Sequence, residues 1–173
     1  MAGSLEFIKS ASGTSVTSLS ITNVFSADYD VYKIIIKDLH SANQVNFNMR
    51  FIDSSDSIIT ATNYDIAQLI MYSHASFGEK RQTNVSEIEL GYYDCDTSAS
   101  GIGVVMYITN PFSSSSYSFI TEQNAFFEGL AGALDGGKSI AILKQTASMT
   151  GLNFFLDSSA SISSLKVDCY GVK

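Results

Sequence analysis

Tyr29-Asp-Val-Tyr-Lys-Ile-Ile-Ile-Lys-Asp-Leu39 alternates apolar and polar side chains, and a period of two predicts a strand. Tyr32, Ile34 and Ile36 fall on one face. Val31, Lys33, Ile35 and Lys37 fall on the other, where the lysines can snorkel from a half-covered surface. A helix would scatter Ile34, Ile35 and Ile36 around its circumference, and adjacent β-branched residues are poor helix formers because χ1 is restricted. The next run, residues 44–53 (QVNFNMRFID), repeats the pattern with Val45, Phe47, Met49 and Phe51 at alternate positions. The polar link at residues 40–43 predicts that the two strands form an antiparallel hairpin.

Working outward, residues 5–8 predict a short first strand ended by Ser12-Gly13, and residues 16–24 a second with Leu19 and Ile21 on one face. Residues 61–75 fit two patterns. Ile66, Leu69 and Ile70 suit a helix face, whereas Tyr64, Ile66, Ile70 and Tyr72 suit a strand, and extended structure is preferred. Residues 77–89 carry the dense charge patch Glu79-Lys80-Arg81 and are expected to be an exposed excursion. In residues 101–111, Ile102, Val104, Met106 and Ile108 face one way and Val105 and Tyr107 the other, predicting a central strand stopped by Pro111. Residues 117–122 would pair with it, residues 124–137 would form a wide turn, and residues 138–145, 152–156 and 165–170 would complete the set. In the last, Leu165, Val167 and Cys169 point inward and Lys166 and Asp168 outward.

The 173 residues suit one domain, 1–173, large enough to bury roughly 70 % of its unfolded surface without metal or disulfide. Charged residues are only 16 %, and the polar remainder is rich in Ser, Thr and Asn, a sheet-protein composition. About eight to ten strands separated by turn signals predict an all-β, antiparallel sandwich, jelly-roll-like in wiring. The formal charge of −7 argues against a nucleic-acid partner, which clustered cations would hold. No run is long enough for a membrane span, and the N-terminus lacks the basic start and apolar core of a secretory signal. Cys95 and Cys169 are therefore expected to be reduced, buried thiols, with a single bridge between them as the other reading.

Gly132-Ala-Leu-Asp-Gly-Gly137-Lys138-Ser139 matches the letters of a phosphate-binding loop, which needs a strand before it and a helix after. Residues 140–143 alternate like a strand instead, so a glycine-rich hairpin turn is expected. His40 and His74 lack neighbours at metal-ligand spacing. The pairs Asp53/Asp56 and Asp94/Asp96 lack the full spacing of a calcium loop and read as solvated turns. Asn84-Val85-Ser86 fits a glycosylation acceptor by letter only. No Gly-x-Ser-x-Gly elbow is present. No catalytic residues, no metal and no cofactor are expected. Tyr92, Tyr93, Phe126 and Phe127 are the candidate contact residues, because aromatic rings in loops stack on sugars or anchor interfaces, with burial in a core or subunit contact as the other reading.

The opening residues 4–39 and the closing residues 163–173, SSLKVDCYGVK, resemble a family of small virion proteins of marine tailed phages, especially cyanophages. The resemblance lies in Asp28, Tyr29, Asp30 and Tyr32, in Tyr170, Gly171 and Val172 at the end, and in the strand before Asn110-Pro111-Phe112-Ser113. It spans most of the chain and is strongest at the ends. It implies a non-enzymatic β-sandwich displayed on a virion as a tail-fibre or adhesin module or a capsid decoration. The implied partners are copies of itself, with a trimer expected, other virion proteins and a host surface glycan. Because the domain would start almost at Met1 and end at Lys173, docking through its own surface is expected rather than through a shaft. The rival expectation is a carbohydrate-binding module that stacks sugars on Tyr92 and Tyr93.

Overall fold

The computed structural model describes residues 4–41, 45–90, 101–128 and 132–173. Twelve strands are present among them: β1 (Leu5–Val16), β2 (Ser18–Ile21), β3 (Val31–Ser41), β4 (Phe47–Asp53), β5 (Tyr64–Tyr72), β6 (Gly78–Val85), β7 (Ile88–Glu89), β8 (Ile102–Thr109), β9 (Ser118–Glu128), β10 (Ala133–Leu143), β11 (Met149–Leu156) and β12 (Ile162–Val172). They form an eight-stranded sheet, β1-β12-β3-β8-β9-β10-β5-β6, and a four-stranded sheet, β2-β11-β4-β7. Every pairing is antiparallel.

The order resolves into two parts. Strands β1-β12-β3-β8 face β2-β11-β4-β7, and the chain crosses between sheets from β1 to β2, β2 to β3, β3 to β4, β4 to β5, β6 to β7, β7 to β8, β10 to β11 and β11 to β12. That is the wiring of a jelly roll. Two hairpins, β5–β6 and β9–β10, are inserted into this wiring and continue the large sheet beyond β8. The result is a β-sandwich in which one sheet overhangs the other by four strands.

Alternation along β3 decides the core. Tyr32, Ile34 and Ile36 are buried while Val31, Lys33 and Ile35 are half-covered. Phe47, Met49 and Phe51 from β4 and Phe154 from β11 meet them from the small sheet within one continuous apolar cluster. Phe47 and Phe154 stack with centroids 5.8 Å apart, and Phe25 lies edge-on to Tyr32 at 4.8 Å. The buried Tyr64 hydroxyl donates to the Ile59 carbonyl at 3.0 Å and accepts from the Phe51 amide, and burial pushes its pKa up to about 12. Leu165, Val167 and Cys169 point inward as expected; the free Cys169 thiol is pushed up to about 12 by burial. Cys95 lies outside the described residues.

The two end motifs meet. Gly171 lies opposite Tyr32, and a Cβ on Gly171 would come 2.5 Å from the Tyr29 ring, so the ring packs where a side chain would otherwise stand. Tyr32 holds the preceding turn: its hydroxyl donates to the Ser26 carbonyl at 2.9 Å and accepts from the Ser26 amide at 2.8 Å.

Several expectations need correction. β3 and β4 do not form a hairpin, because the apolar faces of the two strands lie in opposite sheets and pack against each other; β3 pairs with β12 and β8, and β4 with β11 and β7. β1 runs past Ser12-Gly13 to Val16, since its partner β12 supplies hydrogen bonds that outweigh a local glycine. Residues 78–85 are no excursion but the edge strand β6, whose Glu79-Lys80-Arg81 suits an edge that must refuse further pairing. Asp168 faces outward, yet Ser10 Oγ at 2.7 Å and Lys37 Nζ at 2.5 Å close over it. Residues 64–72 are extended, as preferred.

Candidate interaction surface

The inserted hairpin β9–β10 replaces the wide turn expected at residues 124–137. Along β9, Phe119, Thr121, Gln123, Ala125 and Phe127 face out, and Ile120, Glu122, Asn124 and Phe126 face in. The candidate contact residues therefore separate. Phe126 is not a loop aromatic but a buried strand residue at 5 % exposure, whereas Phe127 is half-exposed on the strand's other face. Tyr92 and Tyr93, with Asp94 and Asp96, lie outside the described residues.

Phe127 belongs to a larger surface that sequence reasoning did not assemble. It lies opposite the exposed Leu134, and further along the same hairpin are Phe119 and Ile140, the latter 63 % exposed. Registers carry the face across neighbouring strands: Lys33, Tyr107, Thr121, Ile140, Ala67 and Arg81 form one row over β3, β8, β9, β10, β5 and β6. The next row reads Ile35, Val105, Gln123, Lys138, Leu69 and Glu79. Ile140 divides two shallow hollows of about 760 and 750 Å³. The first is lined by Phe119, Ile142, Ala67 and the side of Arg81; the second, more polar, by Val105, Tyr107, Gln123 and Lys138.

Charges stand at both ends of the first row, and Lys138 stands within the second. Lys33 Nζ stands 5.8 Å from the Tyr107 ring centroid, and Arg81 ends the same row on the edge strand. Asp65 accepts from Lys144 Nζ at 2.7 Å and from the Asn84 amide at 2.8 Å, and these bonds hold its carboxyl below the usual range. Exposed apolar side chains gathered on one outer sheet face, with Thr121, Gln123 and Lys138 among them, fit a docking surface better than a wholly solvated one.

The phosphate-loop letters do not form a loop. Gly136, Gly137, Lys138 and Ser139 are mid-strand in β10, so Lys138 faces out and Ser139 faces in. No helix follows, and a strand cannot aim successive amides at one phosphate. The glycines are not turn residues either: they sit where a Cβ would meet the carbonyl oxygen of Asn124 at 2.6 Å or of Leu69 at 3.0 Å. His74 Nδ1 lies 3.4 Å from Asp135 Oδ1, and His40 sits at the end of β3. The Asp53 side chain accepts from the Ser55 and Ser57 amides, a turn as read. Among the described residues no three His, Cys, Asp or Glu side chains are grouped as metal ligands. Comparison with known proteins finds no family model that matches the chain and no curated protein similar to it.

Proposed function

We propose that this chain is a structural, non-enzymatic component of a tailed-phage particle, a jelly-roll sandwich that assembles into a small oligomer, a trimer, and is displayed on the tail or capsid. The observation that carries the oligomer is the apolar outer face of the large sheet, with Val105, Tyr107, Phe119, Phe127, Leu134 and Ile140 exposed. Single exposed apolar residues are ordinary, but several gathered on one sheet face mark an interface. The virion setting rests on the resemblance of the end motifs, which the packing of Tyr29 over Gly171 makes one structural unit. An antibody raised against the chain should label purified particles of the virus that encodes it. Absence of label from intact and from disrupted particles would overturn the reading.

A host-glycan role is the second reading, favoured by the more polar hollow, where Tyr107 offers a ring beside Gln123 and Lys138. A glycan array probed with the wild type and with Tyr107→Ala decides it: binding lost in the variant supports attachment, and no binding leaves an architectural role.

A further inference from the structure

The two sheets have four edges, and three of them discourage a further strand. β2 and β7, the edges of the small sheet, are four and two residues long. β6, at one end of the large sheet, carries Glu79-Lys80-Arg81. β1, at the other end, is different: among the described strands β12 lies on one side of it and none on the other. A bulge at Ile8 shifts its register against β12, and Ser15, with φ 53°, ends its regular part, so residues 9–14 form the straight edge.

Charge does not guard this edge. Lys9 is the charged residue of the run, and its Nζ reaches across to the Thr22 carbonyl at 2.8 Å. Ser10 Oγ leans onto Asp168 of β12, and Ala11, Ser12, Gly13 and Thr14 are small and uncharged. Before the bulge, Glu6 is held by Lys173. The core also stops short on this side. Ile8, Ala11 and Val16 from β1 and Leu19 from β2 pack on the apolar core yet are only half-buried, whereas Leu165, Val167 and Cys169 on neighbouring β12 are at most 2 % exposed. Val16 and Leu19 close over Gly13, where a Cβ would stand 2.9 and 3.5 Å from them, so the four side chains make an apolar seam between β1 and β2.

We propose that β1 is completed by an extended strand of a different protein, uncharged, with apolar side chains at alternate positions over this seam and small polar ones between. An open row of backbone N–H and C=O groups takes another backbone, and the seam beneath it selects the alternation. The exclusion of a second copy rests on the trimer proposed above. Two copies of β1 can meet edge to edge only across a twofold axis, which a ring of three lacks. The remaining edges of a neighbouring copy are the short β2 and β7 and the charged β6.

The probe is a short peptide alternating valine and threonine, N-methylated at every second residue so that only one of its edges can hydrogen-bond. Titrated into the full isotope-labelled chain, it should shift the amide resonances of residues 9–14 saturably and slow their hydrogen exchange. The same peptide methylated at every residue should do neither. Successive residues of an antiparallel strand aim their N–H groups to opposite sides, so of Ala11→Pro and Ser12→Pro one loses a bond to β12 and the other an outward donor. The variant that keeps the wild-type Tm should bind the probe at least about tenfold more weakly. Thr14→Lys, opposite the neutral Ser164, should weaken it too and serves if both proline variants unfold. No saturable shift, shifts centred on β6 or Ile140, or residues 9–14 already protected by self-pairing without the probe would each overturn the proposal. Sedimentation of the same samples separates it from the oligomer: a trimer that ignores the probe refutes the edge site alone, and a monomer that binds it refutes the trimer and keeps the edge site.

Discussion

Phe47 is fully buried and stacked on Phe154, so Phe47→Ala should cost roughly 3 to 5 kcal/mol in chemical denaturation, and a near-neutral result would contradict its inward assignment. Gly171 tests the junction of the end motifs. Gly171→Ala must push the Tyr29 ring aside and should cost about 1 to 3 kcal/mol, a cost that should largely vanish in a Tyr29→Ala background. Asp168 supplies a pH dependence of known sign. Burial alone would raise its carboxyl, but hydrogen bonds from Lys37 and Ser10 outweigh that and hold it below its ordinary 3.8. Such a depressed group stabilises the fold above the unfolded value and loses that contribution as pH falls through the folded one. The Tm gap between wild type and Asp168→Asn should therefore be widest near neutral pH and shrink below about pH 4.

At the scale of elements, strands with an apolar inner face were legible and those with a polar one were not. β3, β4, β8 and β12 follow from alternation because their inward residues are apolar, as Ile34, Phe51, Met106 and Val167 show. The sequence reading ends β9 at Glu122, whereas the strand runs to Glu128; its inward positions include Glu122 and Asn124, which carry no apolar signal. The pairing of β3 with β12 and β8 could not be read at all, since which sheet a strand joins depends on residues far along the chain, more than sixty positions away for β8 and more than a hundred for β12. The strand character of β10 also yields an expectation about nucleotides. Lys138 and Ser139 face opposite ways, so calorimetry with ATP should give no binding heat, and Lys138→Ala should behave as the wild type; binding lost in that variant would contradict the strand assignment.

For the molecule as a whole, the eight jelly-roll strands supply a core shared by both sheets, and the two inserted hairpins supply surface. The overhang is where polar and apolar groups mix: Gln68, Glu122, Asn124 and Asp135 join Ile66, Ile120 and Phe126 on its inner side, and Ile140, Leu134, Phe127 and Phe119 stand on its outer side. A folded monomer gains nothing from that outer face in water, whereas copies packing on it would bury it at roughly 25 cal/mol per Å². Sedimentation velocity of the wild type beside Ile140→Asp is the most direct measurement of this claim. The account predicts a wild-type species three times the 18.7 kDa chain mass, and a variant that sediments as a monomer with an unchanged circular dichroism spectrum. A wild type that stays monomeric at tens of micromolar, roughly the range where stable interfaces of ordinary size form, or a variant that still assembles, would contradict it.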